Sequence, residues 1–287
     1  MRLRPCRRST RFHNAYRAMT IHCGCQLGLC PPEGMKLDEG GRYEPSEFQR
    51  IMWAYWLEFW NEWVPAVTTG EPYNIVLNGD IIDGVHHHST HQISHNIKDQ
   101  ETLAYNIMAP IVEKCPGNYY QIRGTGVHDG EAGVSAERVA RQLEAVPNKI
   151  EQYARYDLWK YLGPDKHSLI HYLHHIGTTG SSAYEATAVY KELAEAFVEA
   201  GRWEDRAPNA IVRSHRHRNI KTEAPSAHGR AFCVVTPAWQ GKTPFTHRIP
   251  GARQSQPQFG GIMLRVSDEG ELYERSYVKH LDRPEPE

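Results

Sequence analysis

Tyr73-Asn74-Ile75-Val76-Leu77-Asn78-Gly79-Asp80-Ile81-Ile82-Asp83-Gly84 is the stretch on which the fold turns. Tyr73–Leu77 is mostly apolar, too short for a stable helix, and closes on Asn-Gly-Asp, so it reads as a buried strand that delivers a carboxylate at its end. The same form recurs along the chain. Tyr119–Ile122 leads to Gly124 and then His128-Asp129, Leu169–Leu173 runs into His174-His175, and Ala210–Val212 runs into Ser214-His215-Arg216-His217. In an open α/β sheet the carboxyl ends of the strands build the site. Imidazoles mixed with carboxylates suit zinc, iron or manganese. A single histidine after a strand is most often a surface residue, but four polar clusters, each after an apolar strand, are hard to obtain by chance.

Helical patterns fill the intervals. Ser46 and Gln49 have the spacing of a capping box. Phe48, Ile51, Met52, Tyr55, Trp56, Phe59 and Trp63 then recur at helical spacing, as a core-packing stripe does. Asp99–Cys115 reads as a helix stopped by Pro116-Gly117, Ala136–Ala145 as another, and Ala183–Ala200 as a third closed by Gly201. The C-terminal part reads as antiparallel β: Ala231–Val235, then Ile262–Val266 paired with Leu272–Val278 across Asp268-Glu269-Gly270. The expectation is a layered α/β sandwich, two β-sheets with helices outside, in a single domain over 21–287.

Composition narrows the class. A chain of 287 residues with 40% hydrophobic and 23% charged residues is an ordinary globular protein, near the upper limit for one core. It contains no apolar run of the ~18 residues that a membrane-spanning helix needs, and a net charge of -1 does not imply non-specific binding to nucleic acid. The 6 cysteines do not form a secreted disulfide framework, and Cys23, Cys25 and Cys30 lack the spacing of a zinc ribbon. Reduced thiols in a cytoplasmic protein are the reading, with packing outweighing a ligand role for Cys23 and Cys25 around Gly24. The 17 histidines are unusual. Residues 1–20 carry Arg2, Arg4, Arg7, Arg8, Arg11 and Arg17 with no apolar segment, and read as a poorly defined basic leader without a secretory signal.

The order of these clusters resembles the calcineurin-like metallophosphoesterases, which carry D-x-H, G-D-x-x-D, G-N-H-[DE], a histidine after a strand, and G-H-x-H. Gly79-Asp80-Ile81-Ile82-Asp83 matches the second block, His174-His175 the fourth, and Ser214-His215-Arg216-His217 the last with Ser for Gly. Gly124–Asp129 is a stretched third block without its Asn, and Thr20-Ile21-His22 stands at the first with Thr for Asp. The run Asn78–Gln100, with His86-His87 and Gln92, looks more specifically like the phosphoesterases predicted in tailed-phage genomes.

The resemblance implies a four-layer α/β/β/α sandwich and a centre for two divalent metal ions (Mn, Zn or Fe). Asp80 would bridge both ions, His22 and His217 serving one, and His215 with one of His174 or His175 serving the other. A metal-bridging hydroxide would then attack a phosphoester, in a phosphomonoesterase, a phosphodiesterase or a nuclease, so that the partner is a phosphoester substrate, nucleic acid included, and no membrane. The location implied is the cytoplasm, that of a bacterial host if the chain is phage-encoded. His128 would be the leaving-group acid or stabiliser, or would replace the missing Asn as a ligand.

Arg123 and Arg216, beside the proposed ligands, are candidates to clamp phosphate. His87, in the run His86-His87-His88 with His91, is a candidate to grip phosphate or extend the metal site, and Trp239-Gln240 to line the cleft. Thr20 raises a second expectation, a catalytically impaired member that acts as a binding or scaffold module. The polar residues His13, Asn14 and Arg17, standing where the apolar first strand is due, raise a third: that residues 1–20 are not the ancestral start.

Overall fold

The computed structural model describes residues 15–115, 117–163, 166–177, 181–227, 229–249, 251–267 and 270–282. The arginines of the expected leader up to Arg11, the helix stop at Pro116, and Asp268-Glu269 of the hairpin turn lie outside them.

Short apolar runs become strands in two sheets. The first joins β1 (Ala15–Met19), β4 (Asn74–Asn78), β5 (Tyr119–Ile122), β6 (Ala154–Arg155), β12 (Phe259–Val266) and β13 (Leu272–Lys279) in the order β13-β12-β1-β4-β5-β6. β1, β4, β5 and β6 run parallel, and the β12–β13 hairpin adds antiparallel to β1. The second sheet joins β7 (Asp157–Leu162), β8 (Ser168–Leu173), β9 (Ala210–Arg213), β10 (Ile220–Ser226) and β11 (Gly229–Val235) in the order β10-β11-β9-β8-β7. A small hairpin pairs β2 (Met35–Lys36) with β3 (Arg42–Tyr43).

The helices cover the outer faces. α1 (Glu47–Glu58) begins with the capping box of Ser46 and Gln49 and continues through a π-helical segment into α2 (Val64–Thr68). Met52 and Trp56 of α1, Leu103 and Ile107 of α3 (Ile97–Val112), and Val139 of α5 (Val134–Gln142) share one core with Met19, Ile75 and Leu77 of the first sheet. Tyr16, Ala18, Val76 and Ile122 point the other way and pack against Ile170, Tyr172, Val212 and Val234 of the second sheet. Val189 and Leu193 of α6 (Glu185–Trp203) cover that sheet's far face at Ile211, Cys233 and Val235. The result is the expected order of layers, helix, sheet, sheet, helix. No helix among the described residues is long and apolar enough to cross a membrane.

Two expectations change. Ala15–Met19, assigned to a loose leader, is a fully buried strand inside the first sheet. Arg17 hid it from a reading based on polarity: its side chain is 0% exposed, with the guanidinium 3.7 Å from the centre of the Tyr73 ring. Gly201 does not close α6, which runs on to Trp203 and ends at Glu204 in a left-handed conformation.

None of the three guanidinium nitrogens of Arg17 has a hydrogen-bond partner among the described residues, and burial pushes its pKa down to about 9. A buried charge so weakly compensated costs more than an apolar chain of similar size. Arg17→Met is therefore expected to raise stability by roughly 1–4 kcal/mol, read as a higher urea midpoint. A lower midpoint would show that the Tyr73 contact outweighs desolvation.

Candidate metal centre

The first sheet presents Thr20 and His22 after β1 and Asp80 after β4, and the loop after β5 leads into α4 (Gly126–Asp129), which carries His128. The second sheet presents His174 after β8, and His215 and His217 after β9. The facing sheets bring these strand ends together. His22, Asp80, His215 and His217 all have positive φ, between 49° and 65°, where side chains other than glycine are strained. Such strain persists only where the surroundings over-determine it, and it concentrates at functional sites. Gly79 and Gly124 allow the tight approach, since a side chain at the first would run into His174 and one at the second into Asp80.

Asp80 is 1% exposed. Its Oδ1 accepts hydrogen bonds from the Thr125 backbone N–H (2.7 Å) and hydroxyl (3.2 Å). Its Oδ2 lies 2.9 Å from His174 Nε2 and 3.6 Å from His22 Nε2. His174 Nδ1 sits 2.6 Å from the Asn78 carbonyl and donates to it, so a neutral His174 turns a lone pair toward the carboxylate. Two electron pairs that close require a cation between them, a proton or a metal ion. His22 Nε2 is also 2.8 Å from His217 Nε2, while its buried Nδ1 has no hydrogen-bond partner among the described residues. His128 donates from Nδ1 to the Asp83 carbonyl at 2.5 Å, which leaves Nε2 free.

Two ligand groups emerge, His22-Asp80-His128 and Asp80-His174-His215, each with its donor atoms within 4.8 Å of one another. Ion–ligand bonds of about 2.0–2.2 Å place neighbouring donors about 3.3 Å apart around a tetrahedron. The separations around Asp80 are of that size, and the orphaned imidazole nitrogens supply lone pairs, so the residues present fit a metal centre.

The electrostatics agree. Burial disfavours charge on Asp80, but His174, His128 and His22 outweigh it and hold the carboxyl well below its usual range. Burial, and then the neighbouring imidazoles, keep His22 neutral, and His215 is pushed down to about 4 and His217 to about 3, with burial as the leading cause. For His174, burial is outweighed by the charge and hydrogen bond of Asp80, and its pKa is raised. Asp129, 0% exposed, accepts from the Ile81 and Gly124 N–H groups and ties the Asp80 turn to the loop after β5.

The remaining candidates divide. His175 is exposed, 5.5 Å from the His215 ring, and stands outside the clustered set, so His174 occupies the position the pair left open. Arg216 lines a cleft of about 230 Å³ whose other lining residues include Asp80, His128, His215 and His217. Its two terminal nitrogens are buried without hydrogen-bond partners among the described residues. Arg123 is absent from that lining. Two of its donors go to the Ala154 and Ala132 carbonyls (both 2.8 Å), with Glu137 at 3.8 Å, so in this structure it braces the loop after β5. His87 is exposed and stacks on Phe245, itself a lining residue, at 4.6 Å.

Thr20 is fully buried and donates its hydroxyl to the Gly79 carbonyl at 2.6 Å, so it stitches the β1 and β4 ends together. Thr125, which holds Asp80, was missed by sequence. Of the expected cleft pair Trp239-Gln240, Gln240 lines the cleft and donates to Asp83 at 2.8 Å, while Trp239 is fully buried and absent from the lining. Asp129 was noted only beside His128. A polar residue flanking a strand-end motif was the available signal for Thr125 and Asp129.

Because His215 and His217 titrate well below 6.5 in the fold, the unfolded chain takes up protons that the folded chain refuses. Their contribution to stability is complete above about pH 6.5 and falls as pH drops toward 3–4. The metal-free protein should lose up to about 1.4 kcal/mol per pH unit for each such histidine across that window. Urea midpoints at pH 7 and 5 should differ less in His217→Gln than in the unsubstituted chain; an unchanged difference would show that His217 is not held neutral.

No family model and no curated protein matches this sequence. Solved structures do. The chain is similar to Vps29 of Chaetomium thermophilum (12% identity, TM-score 0.38, covering 95% of this chain and 99% of that one). It is similar to a Streptococcus pneumoniae protein described as a predicted phosphoesterase (9%, TM-score 0.31, 93% and 98%). It is also similar to Thermus thermophilus sulfate thiohydrolase SoxB (9%, TM-score 0.34, 97% and 57%). At these scores the likeness carries no argument about activity, which has to come from the site itself.

Proposed function

We propose that the chain is a metal-dependent hydrolase of phosphoesters, monoesters or diesters, with nucleic acid among the candidate substrates. The observation that carries this reading is the convergence on Asp80 of imidazoles from strand ends on two facing sheets. His22 and His217 would hold one divalent ion with Asp80, and His174 and His215 would hold a second. When bound, a pair of such ions supplies a water of lowered pKa and a clamp for phosphoryl oxygens.

The chain's own residues do the rest. Thr125 fixes the Asp80 carboxylate by two hydrogen bonds. Arg216, a cleft-lining residue whose terminal nitrogens have no hydrogen-bond partner among the described residues, is the candidate to bind the substrate's negative charge. His128 also lines the cleft and is the candidate to protonate the leaving oxygen; the same nitrogen would be lost to that task if it served as a ligand.

One observation favours a second reading, a module that binds without catalysis: Thr20 gives its hydroxyl to a carbonyl where the resembled family places a carboxylate ligand. One set of variants separates the alternatives. Asp80→Asn should remove nearly all metal-dependent hydrolysis of a bis-aryl phosphate together with bound metal, measured by mass spectrometry. His128→Ala should cost about 10²–10⁴-fold on esters with poor leaving groups if it is the acid, far less on a p-nitrophenyl ester, and leave metal content intact. An equal loss on both esters, with less metal, would assign it as a ligand. Thr20→Asp should tighten the first ion. Metal retained without hydrolysis in the unsubstituted chain would favour the binding or scaffold module, and no metal at all would end the hydrolase reading.

A further inference from the structure

We infer that Cys25, Asp83 and His91 form a separate site for a single soft or borderline divalent ion such as zinc, beside the Asp80 cluster and sharing none of its ligands. Their donor atoms lie within 4.8 Å of one another. Cys25 and Asp83 are both 0% exposed, while His91 is half-buried.

The backbone holds the two arms face to face. Cys25 pairs with Gln92 as an antiparallel bridge, Gln26 donates its N–H to the His91 carbonyl at 2.7 Å, and Ile93 donates to the Gly24 carbonyl at 2.6 Å. The His91 Nε2 atom is buried and has no hydrogen-bond partner among the described residues. The same is true of His86 Nε2, which points at Asp83 Oδ2 from 3.7 Å and is placed to complete the set. The Asp83 oxygens accept from Gln240 and Gln92, each at 2.8 Å, and amide donors of this kind orient a carboxylate without neutralising it. A buried carboxylate between imidazole nitrogens without hydrogen-bond partners among the described residues and a thiol is a donor set that a cation would complete.

A set with one sulfur, one or two nitrogens and one oxygen selects zinc or its congeners over magnesium or calcium. Binding is redox-neutral: the Cys25 S–H loses its proton to solvent as the sulfur–metal bond forms. The role is structural. Asp83 Oδ1 lies 3.9 Å from His22 Nδ1, and the Asp83 carbonyl accepts from His128, so an ion fixed on Asp83 fixes two imidazoles of the neighbouring cluster.

Cobalt(II) titration of the metal-free full-length protein tests this. A thiolate ligand gives cobalt a near-ultraviolet charge-transfer band, which the nitrogen and oxygen donors around Asp80 cannot produce. The expected result is a band whose plateau corresponds to one thiolate-bound cobalt per chain, lost in Cys25→Ser and shifted to higher cobalt concentration in His91→Ala, whose site is partly exposed and tolerant. Visible cobalt absorption without that band, a band surviving Cys25→Ser, or an unshifted titration in His91→Ala would each overturn the inference. Cobalt retained by Cys25→Ser reports the Asp80 centre independently; none retained, with the band present in the unsubstituted chain, would sink that centre and leave this one standing.

Discussion

A carboxylate with almost no access to water, ringed by imidazoles, is the constraint on which the rest of this structure depends. Asp80 would be very costly to bury alone. Two hydrogen bonds from Thr125 and the approach of His174, His22 and His128 compensate it. Those imidazoles come from separate strand ends, so the two sheets must pack with their carboxyl edges in register. The inter-sheet core of Tyr16, Val76, Ile170 and Val212 fixes that alignment. Packing therefore places the site, and a cation held there would account for the buried ring nitrogens that lack a hydrogen-bond partner among the described residues.

The local backbone is bent to the same end. Left-handed residues at His22, Asp80, His215 and His217 turn four side chains inward at points where a strand would carry them past the cluster. Thr20 and Asp129 hold these turns, the first through the Gly79 carbonyl and the second through the Ile81 and Gly124 N–H groups. Thr20 thus has a structural use whatever its effect on ion affinity.

Most of this layout is legible in the residues, for a physical reason. Strands buried on both faces, such as Asn74–Asn78 and Tyr119–Ile122, leave a short, mostly apolar run, and the polar cluster after each run marks the site edge. Strands with a wet face do not stand out. β10 alternates half-buried and exposed residues through Lys221, Thr222 and Glu223, and β7 exposes Trp159 and Tyr161. β1 was concealed by Arg17, because a guanidinium stacked on Tyr73 cannot be told from a solvated one by polarity alone. Nearness in sequence does not show what Arg123 touches: it follows a site strand, yet two of its donors go to Ala154 and Ala132. His174 and His175 are neighbours of the same type, and only the register of β8 decides which one faces Asp80.

The central claim, that Asp80 is shared by two ions, is tested most directly by anomalous diffraction from crystals grown with excess manganese. The account predicts two peaks about 3.5–4 Å apart, each within bonding distance of an Asp80 oxygen, one also contacting His22 and the other His174 and His215. A map without a peak near Asp80 at saturating manganese, with His174 Nε2 still against the carboxylate, would mean that a proton and not a metal occupies that gap, and would contradict it.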